Sequence, residues 1–245
     1  MRSLSLLSVE DVTVQFGGVT AVNSASFEVE PAAVTGLIGP NGAGKTTCFN
    51  VITGLQRPTH GRVVFDGHDI TRAPVNRRAR RGIGRTFQRL EAFGSLTVRE
   101  NVRVALDIHH GRHWRKSTDQ AADFLLREVG VAEYADARAD SIPTGTARLL
   151  ELARALACGP RLLLLDEPSS GLDETETKAF GELLLSLTKR GVTILMVEHD
   201  MDLVMGVCSA LHVLDFGSVI ASGSPAEIRA NPEVQRAYLG AEAAA

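Results

Sequence analysis

Apolar and polar positions alternate along Leu6–Phe16 as they do in a strand with one buried face, and Ala25–Glu30 repeats the pattern. Val34–Ile38 is a short apolar run that enters a glycine-rich turn. From Lys45 to Leu55 the length and spacing become helical, with a stop near Gly54. Gly61–Gly67 reads as an edge strand with a turn at Asp66-Gly67, and Arg77–Arg81 as part of a short basic helix. Between Leu96 and Cys158 the periodicity is helical, broken by the polar stretch His109–Lys116. Strand character returns at Leu162–Leu165, four leucines that suit a strand buried on both faces. A helix (Glu174–Lys189), a strand (Val192–Val197), a helix (Met201–Val207) and a strand (Leu211–Leu214) follow.

This order predicts an α/β fold, a mainly parallel sheet with covering helices and a helical lobe inserted into it. The expected division is a single domain over 1–245. Its core is 1–88 and 159–222, the inserted helical subdomain is 89–158, and a helical tail occupies 223–245. No internal repeat is visible, and only the closing Ala-Glu-Ala-Ala-Ala reads as frayed.

Composition narrows the function classes. With 245 residues, 44% apolar and 22% charged, the chain can build a sizeable core without disulfides or metals. A net charge of −3 provides no field that draws the whole molecule onto nucleic acid or anionic lipid. Cys48, Cys158 and Cys208 are far apart and fit no metal spacing, so they read as small core residues of a reducing compartment. No apolar run approaches the roughly 18–20 residues that span a bilayer. Leu4–Leu7 is followed at once by Glu10 and Asp11, without a basic segment or cleavage site. The chain is expected to be cytosolic and to act at a membrane only through partners.

The sharpest chemical signal is Gly39-Pro40-Asn41-Gly42-Ala43-Gly44-Lys45-Thr46, followed by Thr47. It fits G-x-x-x-x-G-K-[ST] between a strand and a helix. Glycines let backbone N–H groups turn inward onto phosphate oxygens, and the helix start adds unpaired donors and the positive end of its dipole. Lys45 is expected to pair with the β- and γ-phosphates, and the Thr46 hydroxyl to ligate Mg²⁺. Leu162–Leu165 leads into Asp166-Glu167-Pro168. After a phosphate loop, Asp166 is placed to hold the Mg²⁺ shell and Glu167 to accept a proton from the attacking water. Taken alone, such acids also cap the next helix.

Further elements stand in the order found in ATP-binding-cassette domains, which the chain resembles over essentially its whole length. Phe16 resembles the aromatic that stacks on adenine. Gln88, in Thr86-Phe87-Gln88, resembles the glutamine that senses Mg²⁺ and faces the membrane subunit. Ser170-Gly171-Leu172-Asp173 resembles the loop that crosses the dimer interface. Glu198-His199-Asp200 resembles the switch whose histidine contacts the γ-phosphate. The resemblance implies a P-loop NTPase (RecA-like) core with an N-terminal antiparallel β subdomain. It assigns catalysis to Glu167, His199, Gln88 and Lys45. It assigns nucleotide binding to Phe16, Gly39 through Thr47 and Asp166, and the water-mediated Mg²⁺ shell to Thr46, Gln88 and Asp166.

One element departs. Where the family writes L-S-G-G-Q, before the Arg148–Cys158 helix, this chain has Ile142-Pro143-Thr144-Gly145-Thr146. In the family that segment covers the γ-phosphate held on a partner's P-loop. Pro143 supplies neither hydroxyl nor N–H, and a lost hydrogen bond to a charged group costs roughly 1.5–3 kcal/mol. Thr144 or Thr146 could restore a hydroxyl. The expectation is a heterodimer with one competent site and one impaired site.

Three stretches resemble branched-chain amino-acid importer ATPases in particular. They are Arg85–Gln88 with Leu96–Asn101, Glu198–Gly206, and the ending Asn231–Gly240, a helix with Val234, Ala237 and Tyr238 on one face. The resemblance implies a second ATPase subunit, two integral-membrane permease subunits and an extracytoplasmic solute-binding protein, with no nucleic acid. The chain would sit peripherally on the cytoplasmic face of the membrane. Rival readings are a structural nucleotide-binding subunit with little turnover, a soluble cassette on ribosomes or DNA, urea or amide uptake, and lipid or polysaccharide export. The Arg77, Arg78, Arg80, Arg81 and Arg85 run reads as a solvated face, and His109, His110 and His113 as a polar loop rather than a metal site.

Overall fold

The computed structural model describes residues 5–87, 91–110 and 118–242. The first sheet is antiparallel. Strands β1 (Leu7–Phe16), β2 (Val19–Val29), β4 (His60–Phe65) and β5 (His68–Asp69) lie in the order β2-β1-β4-β5. The second strand therefore begins well before Ala25. The expectation that Gly61–Gly67 forms an edge strand is also corrected, because β4 is covered on its outer side by the two-residue β5. A turn too short to look like strand sequence hides that partner: Asp66 and Gly67 take φ of 51° and 73°, and the chain folds straight back.

The second sheet has the order β10-β9-β3-β8-β7-β6. It comprises β3 (Val34–Ile38), β6 (Ile83–Arg85), β7 (Leu162–Asp166), β8 (Thr193–Val197), β9 (Ala210–Asp215) and β10 (Ser218–Gly223). All neighbours are parallel except β9 and β10. The leucine run of β7 is buried on both faces. Leu162 and Leu164 join the core shared with the first sheet and with α1 (Lys45–Thr53). Leu163 and Leu165 join the core on the opposite face.

That opposite face holds α3 (Val98–His110), α4 (Thr118–Glu128) and α5 (Thr144–Leu156), which pack on one another, together with α6 (Glu174–Lys189) and α7 (Met201–Val207). Asp173 caps α6 reciprocally with Glu176, and Asp200 caps α7 through the Leu203 N–H, so both helices start where acids end a loop. Near the C-terminus, α8 (Pro225–Ala230) and α9 (Pro232–Glu242) follow β10, and Val234 is buried in the core as its helical spacing predicts. Among the described residues no helix is long and apolar enough to cross a membrane.

The basic run is not one solvated face. Helix α2 (Val75–Arg80) carries Arg77 and Arg80 outward, but Arg78 is 1% exposed and donates to four carbonyls, those of Val51, Ile52, Thr71 and Ala73. Arg85 belongs to β6 and is buried as well. Arginines i and i+1 on a helix point to different sides, and the residue type alone does not say which side is covered.

Candidate active site

The carboxyl ends of β3, β7 and β8 bring the candidate residues to one edge of the parallel sheet, where open α/β sheets bind their ligands. β3 ends at Ile38 and delivers the glycine-rich loop to α1, which begins directly after Gly44. Gly39 has φ of 149°, and a Cβ there would lie 1.9 Å from the Leu214 carbonyl oxygen, so the chain can turn against β9 only with glycine. Gly217 in the β9–β10 turn donates to the Ala43 carbonyl at 3.0 Å and braces the loop from the other side. Asn41, Gly42 and Thr46 are exposed, while Ala43 and Lys45 are buried.

Lys45 Nζ donates to the carbonyls of Gly39 at 2.6 Å and Pro40 at 2.9 Å. An ammonium has three donors, so one is left for a ligand. Burial pushes the Lys45 pKa down, and the nearby charges of Glu167 and Asp166 oppose that shift. Lys45 thus lies within electrostatic reach of the two acids.

Asp166 closes β7 and is 4% exposed; its Oδ2 accepts from Arg85 Nη2 at 2.8 Å. Glu167 follows with φ of 50°, a left-handed backbone that glutamate rarely adopts, and its N–H donates to the Val197 carbonyl. Strain of this kind persists where surrounding structure enforces it, and it points to function. His199 Nε2 lies 3.1 Å from Glu167 Oε1, so the two candidate catalytic side chains meet.

Sequence reasoning assigned no task to Glu198. Its buried carboxylate accepts from the N–H of Ser169 through Oε1 and from the N–H groups of His199 and Asp200 through Oε2. It ties the Ser170–Asp173 loop to the loop carrying His199. An acid inside a Glu-His-Asp string is hard to tell from a capping residue, and only its burial distinguishes it.

Phe16 ends β1 and is half exposed. Gln88 lies outside the described residues, as does His113. Among the described residues no group of three or more His, Cys, Asp and Glu is placed to hold a metal. The Ile142–Thr146 segment does not precede its helix as expected. Pro143 is the N-cap of α5, and Thr144, Gly145 and Thr146 form its first turn. Pro143 sits just outside the helix in extended backbone, where its missing N–H breaks no helical hydrogen bond, so the helix starts at Thr144, one turn further back than Arg148. A Cβ on Gly171 would lie 3.2 Å from Thr144 Cγ2, which sets the Ser170–Asp173 loop against this turn.

A family model described as "ABC transporter" matches residues 22–170. The chain belongs to the ABC transporter family. A second model, "Branched-chain amino acid ATP-binding cassette transporter", matches residues 218–244. The chain is 41% identical to the high-affinity branched-chain amino acid transport ATP-binding protein LivG of Escherichia coli K12, covering 97% of this chain and 99% of LivG. It is 40% identical, over 97% and 99%, to BraF of Pseudomonas aeruginosa, whose name is otherwise the same. A lipopolysaccharide export ATP-binding protein, LptB of Haemophilus influenzae, is 34% identical over 97% and 98%. The fold superposes on a solved ATP-binding cassette of an ABC transporter with TM-score 0.88 at 30% identity, covering 96% of this chain and 99% of that one. This ABC chain is an ATPase whose hydrolysis is coupled to transport by a complex with membrane components.

Proposed function

We propose that this chain hydrolyses MgATP to energise uptake of branched-chain or other hydrophobic amino acids, seated peripherally on the cytoplasmic face of the membrane. The Glu167–His199 pair beside the glycine-rich loop carries the hydrolytic part. Gly39 through Thr47 cradle the phosphates with N–H groups and the α1 dipole, Lys45 takes the β- and γ-phosphates, and Phe16 stacks on the adenine. Glu167 accepts the proton of the attacking water at a carboxylate oxygen, and His199 holds that carboxylate and contacts the γ-phosphate.

Mg²⁺ arrives with the nucleotide and neutralises charge on its phosphates. The Thr46 hydroxyl and the Asp166 carboxylate are hard oxygen donors of the kind Mg²⁺ accepts, with Gln88 completing the protein's share. So few protein donors suit an ion whose shell is finished by phosphate and water.

The solute assignment rests on the two importer relatives and on the match of residues 218–244. Partners are a second ATPase subunit, two permease subunits and an extracytoplasmic solute-binding protein. Pro143 at the head of α5 favours a heterodimer, because the partner's γ-phosphate meets a first turn without a serine hydroxyl. The core at 1–88 and 159–222 then carries the P-loop, and the helical subdomain at 89–158 presents α5 to the partner. ATP-dependent uptake of labelled leucine by vesicles holding the full complex tests the reading, and uptake without dependence on this chain would contradict it.

A further inference from the structure

The two carboxylate oxygens of Asp166 have different surroundings. Oδ2 is taken by Nη2 of Arg85 at 2.8 Å, in a pair whose side chains are 6% and 5% exposed. Nη1 of the same guanidinium donates to Asn50 Oδ1 on α1 at 2.6 Å. The rings of Phe49 and Phe87 lie 5.5 and 5.0 Å from the guanidinium carbon and cover it. β6 and β7 run parallel with Arg85 beside Leu164, so the arginine reaches two residues along to the strand end. Phe87 is held in turn, because its carbonyl accepts from Arg148 of α5 at 3.2 Å.

Stability does not explain this pair. Burying two charges removes their hydration, and apolar replacements of such pairs are often neutral or better. Here the cost is higher, since Arg85 Nε is buried with no hydrogen-bond partner among the described residues. The guanidinium fork, by contrast, bonds Asp166 with one arm and Asn50 with the other, so it fixes the carboxylate against α1 in a way a lysine does not reproduce.

We propose that Arg85 is a positioning residue for the nucleotide's metal. By occupying Oδ2 it locks the Asp166 rotamer and leaves Oδ1 as the oxygen available to the Mg²⁺ shell. It does so from between α1 and Phe87, so the contact of Phe87 with α5 bears on the same carboxylate. The inference rests on the assignment of Asp166 to that shell.

The test is ATP affinity of the full chain by calorimetry, in saturating Mg²⁺ and in EDTA, with thermal melts as the folding control. Arg85→Met is expected to shrink the affinity gain from Mg²⁺ about tenfold, leaving metal-free affinity within about twofold, on the scale of one lost hydrogen bond to a charged group. Arg85→Lys recovers part of the gain. Asn50→Ala, which frees only the far end of the fork, loses less in the same direction and serves if Arg85→Met does not fold. An unchanged or larger gain in Arg85→Met, or equal losses with and without metal, overturns the proposal. Asp166→Asn separates the two levels. If it leaves the gain intact, the assignment of Asp166 fails and takes the clamp with it, whereas a loss there with none in Arg85→Met sinks the clamp alone.

Discussion

Nε2 of His199 stands 3.1 Å from Oε1 of Glu167, although the two residues are 32 positions apart and leave adjacent parallel strands. The pairing is enforced from both sides. Glu167 is fixed by its N–H on Val197, and the His199 N–H is fixed by Glu198. Groups that act as one unit are strongly non-additive when removed. Glu167→Gln and His199→Ala should each lower hydrolysis at this chain's own site by roughly 10²- to 10⁴-fold, leaving the partner site's remainder. The double variant should be little worse than the weaker single one. Independent, multiplying losses in steady-state kinetics would show that the two act separately.

Arg78 caps the C-terminal end of α1 through the Val51 and Ile52 carbonyls, donates also to the Thr71 and Ala73 carbonyls ahead of α2, and is buried with no carboxylate bonded to it among the described residues. Gly54, with φ of 83°, faces it so closely that a Cβ would lie 2.8 Å from Nε. Arg78→Ala strands several acceptors and should cost about 3 kcal/mol or more in urea unfolding. Gly54→Ala should cost about 1–3 kcal/mol through strain alone, with no change in the denaturant slope. Values near zero for Arg78→Ala would mean that water takes its place.

The sequence carried the parallel core well because its signals were redundant. The leucines of β7 are bounded by a proline-glycine region and an acidic turn, and Met201–Val207 is capped by an aspartate. Short strands were not legible: β6 spans three residues, Ile83–Arg85, with nothing to alternate. Arg78 and Arg85 were read as solvated because arginine is mostly exposed, and their burial depends on carbonyls and a carboxylate supplied from far along the chain. The candidate site was legible wherever residue type and order carried it, as for Lys45, Asp166 and Glu167. Glu198 escaped because its work is done on backbone N–H groups.

His212 of β9 is buried with Nε2 2.8 Å from the Glu28 carbonyl, so Nε2 carries the proton, and Nδ1 accepts from Ser222 Oγ. Burial lowers its pKa, opposed by the Glu28 carbonyl and charge. The unfolded chain, near pKa 6.5, therefore takes up a proton first as pH falls. The stability contributed by neutral His212 is complete above that value and is lost as pH falls through the lower, folded value. His212→Asn should flatten the stability profile below about pH 6.5 by at most about 1.4 kcal/mol per pH unit. Parallel profiles for the two proteins would remove His212 as the cause.

Pro143 heads α5 without a side-chain hydrogen bond to its first turn. Serine there would cap the helix and supply a hydroxyl to the partner's γ-phosphate. With this chain's own site silenced by Glu167→Gln, the remaining turnover of the complex belongs to the partner's P-loop. Pro143→Ser should raise that remainder by about tenfold, the worth of one hydrogen bond to a charged group. No change would indicate that Thr144 or Thr146 already supplies the hydroxyl.

The central claim is that this chain is a working motor with its competent site on its own P-loop. The most direct measurement is MgATP turnover by the purified chain, alone and assembled with its membrane and ATPase partners, with Glu167→Gln alongside. Turnover that rises on assembly and falls to a small remainder in Glu167→Gln is the expected result. Turnover that Glu167→Gln leaves unchanged would place hydrolysis on the partner and make this chain a structural nucleotide-binding subunit.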